Sequence, residues 1–355
     1  MPIEVTPGTT DTPHAAWLVL PRLRVQNANA ISSPMTWGFP SVTAFTGFMT
    51  ALERKLGPDA GIRFSGIGIV CHGFEAQVTP TRQGVYTHSF ALTRNPVLQD
   101  GGTAAIVEEG RVHLDITLVL EATISDALLD DDQRQACANA IAQQVAGMRI
   151  AGGSIMPPTQ PTTLQTRQRR FKAKLVRQES GFEQREKQYK RLSRQWLPGF
   201  ALVSRDDVLH ARLADMQNNA VPDTPAPTLL DAWLDVARLN IRASLHPDTQ
   251  AVEWKPDARP GWLVPMPVGF AALSELHAPG TVSGTRDPRV PFRFVESVYS
   301  IGQWISPHRL SDCTHLMWQP TYAPDTGLYR CTNTYAEHAA AAPQTETYVP
   351  LSIAD

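Results

Sequence analysis

The segment RVHLDITLVL, residues 111–120, shows the clearest alternation of side chains in the chain. Apolar residues occupy every second position: Val112, Leu114, Ile116, Leu118 and Leu120. Because successive side chains of a strand point to opposite faces, this period of two predicts a strand with one buried face. Such a strand needs pairing partners, so the chain is predicted to build a sheet.

Other predicted elements flank this strand in a definite order. Strands are predicted at residues 16–26, 62–78, 86–93 and 197–205, and Pro21 places an edge or a bulge in the first of them. Helices are predicted to start at Ser41 and at residues 130–132, and to end at Gly57 and at the pair Gly152 and Gly153. The order strand, helix, strand, strand, helix, strand predicts an α+β, ferredoxin-like core, the architecture of the RNA-recognition motif.

Changes in composition divide the chain into four parts. Residues 1–15 are predicted to be a flexible arm, and residues 16–160 the ferredoxin-like core. Residues 161–196 are predicted to be a basic insertion. Residues 197–355 supply the final core strand and a second, less regular C-terminal subdomain, in which no internal repeat is visible.

The bulk composition excludes several classes of protein. No apolar run approaches the ~20 residues that span a bilayer, and the N-terminus does not resemble a signal peptide. The spacing of Cys71, Cys137, Cys313 and Cys331 fits neither a zinc site nor a disulfide framework. The cysteines therefore predict a reducing, cytoplasmic compartment, and the lack of an apolar run predicts no membrane partner. The net charge is only −2, yet residues 167–194 hold eleven Lys and Arg against three Glu. A compact basic element on an acidic body is therefore predicted.

The basic insertion has two interpretations of equal weight. Its Lys and Arg side chains alternate with Phe171, Phe182, Tyr189 and Trp196, which suits an RNA backbone with stacked bases. The alternative is a solvated, charge-rich helical hairpin. If it binds RNA, the candidate residues are Arg167, Arg169, Arg170 and Lys172.

The segment RLRVQNANAISSPMTWGFPS, residues 22–41, is the second candidate. Arg22 and Arg24 are predicted to share one face of the first strand, and Asn27 and Asn29 offer donors and acceptors in the loop that follows. The alternative is a structural loop whose asparagines form turns, and composition alone slightly favours it. Trp37 and Phe39 are assigned to packing that fixes the loop.

The motif IAGGSI, residues 150–155, has glycines that would let backbone amides approach a phosphate. Gly152, Gly153 and the neighbouring Arg149 are the candidates there. The motif lacks the lysine and spacing of a P-loop, so nucleotide hydrolysis is not predicted. The competing interpretation, a helix C-cap, is the stronger of the two on this motif alone.

Catalytic and metal signatures are not found in the sequence. His72, His88 and His113 fall on predicted strands, and no spacing pairs any two of them for acid–base chemistry. Cys313 and His315 have no complementary pair of metal ligands nearby. The sequence therefore predicts neither a cofactor nor a catalytic site.

Four longer stretches together resemble a known family. They are LPRLRVQNANAISSPMTWGFPSVTAFTGF, VCHGFEAQV with the later LTRNP and IVEEGRVHLDITLV, MRIAGGSIMPP, and VPMPVGFAALSEL with RDPRVPFRFVESVYSIGQWISPHRL. They resemble the small subunit that binds the 5′ handle of the guide RNA in the type I-F CRISPR surveillance complex, within the repeat-associated mysterious protein superfamily. The resemblance spans residues 17–310 with gaps, and residues 1–16 and the tail after Thr321 do not share it.

This resemblance implies more than the spacing does. It implies a non-catalytic subunit that holds the guide-RNA handle, pairs with the large PAM-recognising subunit and abuts the backbone filament, so that target DNA is met through the assembled complex. It matches Gly152 and Gly153 to the family's glycine-rich loop. It also implies that the basic insertion at residues 161–196 is thumb-like, with the thumb within residues 167–194. Two alternatives stay open: a metal-independent guide-RNA-processing endoribonuclease using His72, His88 or His113, and a protein scaffold without RNA contacts.

Overall fold

The structure is a computed structural model that describes residues 13–80, 88–94, 97–98, 100–157, 172–220, 222–246 and 250–341. Within these ranges the helices are α1 (Val42–Leu56), α2 (Asp131–Ala146), α3 (Phe182–Ser193), α4 (Asp206–Asn218), α5 (Leu229–Ala237) and α6 (Tyr335–Ala341). The strands are β1 (His14–Asn29), β2 (Ile31–Ser33), β3 (Thr36–Trp37), β4 (Ile62–Ala76), β5 (Val78–Pro80), β6 (His88–Arg94), β7 (Ile106–Glu109), β8 (Arg111–Ile124), β9 (Arg149–Ile150), β10 (Gly153–Met156), β11 (Lys174–Arg177), β12 (Phe200–Ser204), β13 (Ile241–Leu245), β14 (Val252–Pro256), β15 (Trp262–Ala272), β16 (Val295–Ile305), β17 (Met317–Ala323) and β18 (Leu328–Thr332).

Three long antiparallel strands form the centre of the main sheet. β8 pairs with β4 on one side and with β1 on the other, and both β10 and β11 pair with the far edge of β1. The alternation predicted for β8 is confirmed, because its apolar positions are buried in the core cluster that also holds the apolar faces of α1 and α2. One face of the central strands is thus covered by both helices.

Local capping signals set where the two helices begin. Ser41 caps α1, its Oγ accepting the Thr43 amide proton at 3.2 Å, and Gly57 follows the last residue of the helix. The carboxylate of Asp130 caps α2 by accepting two amide protons. These three ends lie where the sequence predicts them, since each depends on neighbours a few residues apart.

The strand predicted at residues 197–205 forms as β12, but it is not a fourth strand beside β1. It pairs with β16 and with β4. β17 also pairs with β4, and β17, β18, β15 and β16 follow one another by pairing. These six strands therefore close into a ring that shares β4 with the central strands. A strand's own pattern predicts that it forms and not which strand it joins, and that is why its predicted place was wrong.

The other face of the sheet is partly covered by the basic insertion. Tyr189 and Trp196 are buried there against Trp17 and Val119 of the central strands. The Tyr189 hydroxyl donates a hydrogen bond to the carbonyl oxygen of Pro307 at 2.7 Å. Residues 182–196 are thus packed against the sheet through one apolar face of α3, whereas residues 174–177 belong to the sheet as β11.

The helices of the described ranges are short or polar. None of them combines the length and the apolar character that crossing a membrane requires.

Candidate nucleic-acid interface

β1 departs from regular pairing with β8 at two places. At each, the register shifts so that β1 contains one residue more than β8. Arg22, with φ of 53°, lies in the first of these β-bulges, and Asn27, with φ of 56°, lies in the second. Residues with a Cβ seldom adopt this left-handed conformation, and bulges re-aim side chains beside functional sites. The bulge predicted from Pro21 is confirmed.

The first bulge is held by a chain of hydrogen bonds. The Arg22 amide donates to Thr117 Oγ1 at 3.2 Å, and the Thr117 hydroxyl lies 2.8 Å from His72 Nε2. His72 Nδ1 lies 2.8 Å from the carbonyl oxygen of Pro198. Because a carbonyl only accepts, Nδ1 carries the proton and Nε2 accepts from Thr117. Both imidazole nitrogens are therefore engaged.

Burial lowers the pKa of His72, and the nearby Arg22 cation lowers this pKa further. Arg22 itself is ion-paired, with its Nη2 atom 2.6 Å from Asp115 Oδ2. The side chains of this pair are about one third exposed, so the pair contributes little to stability. Its effect is to fix where the guanidinium lies.

The strand register brings two more arginines to the same face. Arg24 pairs with Asp115, so both side chains leave the sheet on one side. Gln26, two residues further along, pairs with Ser154, and Ser154 pairs with Arg149. Arg149 therefore shares the face of Arg24, and no ion-pair partner for it is found among the described residues.

We call this surface the open face. It lies opposite α1 and α2, where α3 does not cover the sheet, and it is defined by Arg22, Arg24, His113, Asp115 and Arg149. Arg22 and Arg24 of β1 thus meet Arg149, which is far from them in the sequence, on one surface. Such a surface suits phosphate groups, to which guanidinium groups bind through paired hydrogen bonds.

The two predicted asparagines differ in what they do. Asn27 is exposed at the border of the open face, and its backbone N–H donates to His113 Nδ1 at 3.1 Å. The side chain of Asn29 instead makes a local turn, donating to the Ile31 carbonyl at 2.7 Å and accepting from the Ile31 amide at 3.1 Å. The alternative weighed for this loop, asparagines that form turns, therefore describes Asn29.

The glycine motif is a hairpin turn, and the predicted helix end at this motif is wrong. α2 stops at Ala146, with Gly147 as its C-cap, because β9 and β10 follow as a hairpin. Ala151 and Gly152 form its two-residue turn, and both have positive φ, as a type I′ turn requires. Gly153 is buried, and a Cβ there would lie 2.7 Å from the Ala28 nitrogen. Close contact with β1, rather than capping, explains this glycine.

The remaining basic candidates stand apart. Lys172 is exposed just before β11, which runs alongside β1. Arg167, Arg169 and Arg170 lie outside the described residues, so the structure says nothing of where they are.

Two of the three candidate catalytic histidines make structural hydrogen bonds. Both nitrogens of His72 are engaged, and His113 Nδ1 accepts a backbone amide proton. His88 lies on β6, in a separate small sheet. Among the described residues, no group of three or more His, Cys, Asp or Glu could hold a metal ion.

On the side of β4 that faces the α1 and α2 core lies a cleft that the sequence did not predict. It has a volume of about 400 Å³, and His72 and Gly73 of β4 belong to its lining. We call it the aromatic cleft, after the six aromatic side chains that line it: Trp37, Phe39, Phe74, Phe200, Trp262 and Trp304. Phe39 is packed as predicted, 4.8 Å from Trp304 between ring centroids, but Trp37 is 53% exposed.

Comparison with known proteins gives two matches. A family model described as CRISPR-associated protein (Cas_Csy2) matches residues 18–331. The curated "CRISPR-associated protein Csy2" of Pseudomonas aeruginosa (strain UCBPP-PA14) is 46% identical over 338 residues, which cover 92% of this chain and 98% of that protein. Both matches agree with the family resemblance drawn from the sequence.

Proposed function

This chain belongs to the Csy2 family of CRISPR-associated proteins, and from that premise we propose that it is a non-catalytic RNA-binding subunit of a type I-F CRISPR ribonucleoprotein. In this proposal it holds the 5′ handle of the guide RNA and pairs with the large PAM-recognising subunit. It also contacts the backbone filament, and it meets target DNA only through the assembled complex in the cytoplasm.

We further propose that the core is ferredoxin-like. The antiparallel order β4–β8–β1–β10, with α1 and α2 on one face, supports this assignment together with the chain order of these elements. The fourth position is then taken by the short strands β10 and β11 instead of the predicted strand at 197–205. In RNA-recognition motifs of this architecture the face opposite the helices contacts RNA, and here that is the open face.

The observation that carries the proposal is the pair of left-handed bulges in β1. They place Arg22 and Asn27 beside Arg24 on one surface, and the β9–β10 hairpin adds Arg149 to it. Two strained non-glycine residues five positions apart are costly, and strain of this kind collects at binding sites. A single-stranded handle can be held by arginines on its phosphates and read by polar groups on its base edges.

The test is the affinity of the protein for handle RNA across a salt series. For single-stranded RNA, log K falls with log[salt] by roughly 0.7 per phosphate contacted. The triple variant Arg22→Ala/Arg24→Ala/Arg149→Ala is expected to bind more weakly and to reduce that slope by up to about 2, since three contacts are removed.

Arg289→Ala is the matched control, because its side chain is 86% exposed on the loop between β15 and β16. It is expected to leave both affinity and slope unchanged. A triple variant that binds handle RNA as well as the natural protein, with the same slope, would show that the open face is not the RNA site. Weak binding by the natural protein with a flat salt response would instead favour the scaffold alternative.

The endoribonuclease alternative has its own test. Purified protein is incubated with repeat RNA in the presence of a chelator. We expect intact RNA, since His72 and His113 are committed to structural hydrogen bonds. Sustained cleavage that disappears in His72→Ala, His88→Ala or His113→Ala would overturn the non-catalytic assignment.

A further inference from the structure

The aromatic cleft leaves an unusual amount of aromatic surface in contact with solvent. Trp37 is 53% exposed, Phe74 47%, Phe200 45% and Trp262 55%. Single exposed apolar residues are common on protein surfaces, but a contiguous apolar patch around a concave site marks a place where something binds. The volume of about 400 Å³ lies within the range of small-ligand pockets.

The rings are held in place before any ligand arrives. Phe200 and Trp262 meet edge to face with ring centroids 5.7 Å apart, and Trp262 contacts Trp304 with ring centroids 6.4 Å apart. Trp37, which also lines the cleft, meets Phe90 edge to face with ring centroids 5.5 Å apart. Rings fixed in this way lose little conformational entropy on binding, which favours a planar ligand that can stack against them.

The polarity of the cleft narrows the class of ligand. Its described lining contains no acidic side chain, and the polar side chains that line it are those of Ser32, Cys71 and His72. His72 has both nitrogens engaged, and the Ser32 hydroxyl lies 2.8 Å from Thr36 Oγ1. The cleft therefore presents ring faces rather than charges, and it suits an uncharged, flat group.

The cleft lies on the side of β4 that faces the α1 and α2 core, and it meets the open face at His72, at the edge of β4. His72 lines the cleft and is joined through Thr117 to the backbone of Arg22. Gly73, also in the lining, pairs with Asp115, the ion-pair partner of Arg22. A nucleic-acid strand whose phosphates lie along Arg22 and Arg24 would place a base in the cleft by passing this edge of β4.

We propose that the aromatic cleft holds one unpaired nucleobase of the guide-RNA handle, stacked between the Trp37 and Trp262 walls. This inference rests on the proposed function and adds a base-binding site to it. The arginines of the open face bind phosphates whatever the RNA sequence, whereas the cleft requires one nucleotide whose base is unstacked from its neighbours. The cleft is therefore where the position of the handle along the protein is set.

The experiment combines protein variants with an abasic scan. Handle RNAs carrying a single abasic site at each position in turn are titrated against the full chain and against Trp262→Ala. A stacked base is worth ~1–3 kcal/mol, so removing the base that occupies the cleft should weaken binding roughly 5- to 100-fold. At that one position, Trp262→Ala should cause no further loss, because the partner of the ring is already gone.

Two variants serve as controls. Trp254→Ala removes a 69% exposed tryptophan on β14, away from the cleft lining, and should leave the whole abasic scan unchanged. Trp262→Phe keeps a stacking ring and should recover most of the affinity. Thermal unfolding of each variant checks that the fold is intact.

The possible outcomes separate the two proposals. If the natural protein fails to bind handle RNA at all, the proposed function fails. If it binds but the losses from Trp262→Ala and from every abasic site simply add, the base-binding cleft is ruled out while the function stands. If Trp262→Ala instead releases a protein subunit of the complex in the absence of RNA, the occupant is a partner side chain and the inference is overturned.

Discussion

Arg22 keeps a long side chain at a φ of 53°, where glycine would sit without strain. The left-handed conformation costs residues with a Cβ roughly 1–2 kcal/mol, and the ion pair with Asp115, about one third exposed, offsets little of that. The chain therefore carries a local cost at a position whose guanidinium lies on the open face. We interpret this as stability given up for recognition.

Two substitutions at Arg22 are expected to separate stability from binding. Arg22→Ala and Arg22→Gly both remove the guanidinium, so both should weaken handle-RNA binding equally. Only glycine relieves the strain of the left-handed backbone. The free energy of unfolding of Arg22→Gly should therefore exceed that of Arg22→Ala by about 1 kcal/mol, and Arg22→Gly should unfold at a higher urea concentration. Equal stability of the two would mean that the bulge is not strained, and unequal binding would mean that the backbone itself contacts the RNA.

At the residue scale, the sequence predicted which side chains have the chemistry to bind RNA, but it did not predict which of them bond to their own backbone instead. Arg22, Arg24 and Arg149 were identified as cations suited to RNA, and they share one face. The local turn of Asn29 was foreseen only as an alternative, because an asparagine amide binds its own backbone as readily as a ligand.

The β9–β10 hairpin is the element that the sequence interpretation missed. Its turn uses Ala151 and Gly152 in place of the Asn-Gly pair that signals a type I′ turn, and its strands are only two and four residues long. Propensity alone could not separate it from the end of α2. Elements set by local signals, such as the caps of α1 and the alternation of β8, were predicted correctly.

Substitutions in this hairpin should reveal how closely it sits against β1. In Gly153→Ala the new Cβ would lie 2.7 Å from both the Ala28 nitrogen and the Gln26 carbonyl oxygen, so the hairpin must move away. We expect a loss of about 1–3 kcal/mol in the free energy of unfolding. Gly152→Asn is the control, since that position is open to solvent and asparagine tolerates its φ of 77°. Similar thermal unfolding of the two variants would contradict the close contact.

Across the whole molecule, His72 connects three strands that are distant in sequence. It lies on β4, and its imidazole forms hydrogen bonds with Thr117 of β8 and with the carbonyl oxygen of Pro198, just before β12. Burial lowers its pKa below the ordinary 6.5, so the folded state binds this proton less readily than the unfolded state. The stability that it supports is therefore complete above about pH 6.5 and is lost as the pH falls from there towards the lowered folded pKa.

His72→Gln should remove part of that acid sensitivity, because glutamine cannot titrate. The melting temperature of the natural protein is expected to fall between pH 7.5 and pH 5.5, and the variant should show a smaller fall. Some of it should remain, since burial lowers the pKa of His315 as well. An equal fall in both proteins would show that His72 does not contribute.

The aromatic cleft exists only at this largest scale. Trp37 follows β1, Phe200 begins β12 and Trp262 begins β15, so its walls meet only when the ring of six strands has closed. No sequence window contains the site, and none of its aromatics has a pattern that differs from core packing. This is why the arginine surface could be predicted from the sequence and the cleft could not.

The closed ring of strands also has a consequence for synthesis on the ribosome. β4 ends at Ala76, yet the outer partner β17 begins only at Met317. At roughly 5–20 residues per second, about 10–50 s pass before that partner emerges. Until then the part of this edge at Ile67 and Gly68 stays unpaired in the nascent chain, although β12 can already pair with Val70 and Cys71. The open part makes the growing polypeptide prone to association with its neighbours on a polysome. Slow translation between β12 and β17 would lengthen this exposure, so the yield of folded protein should depend on codon choice in that interval.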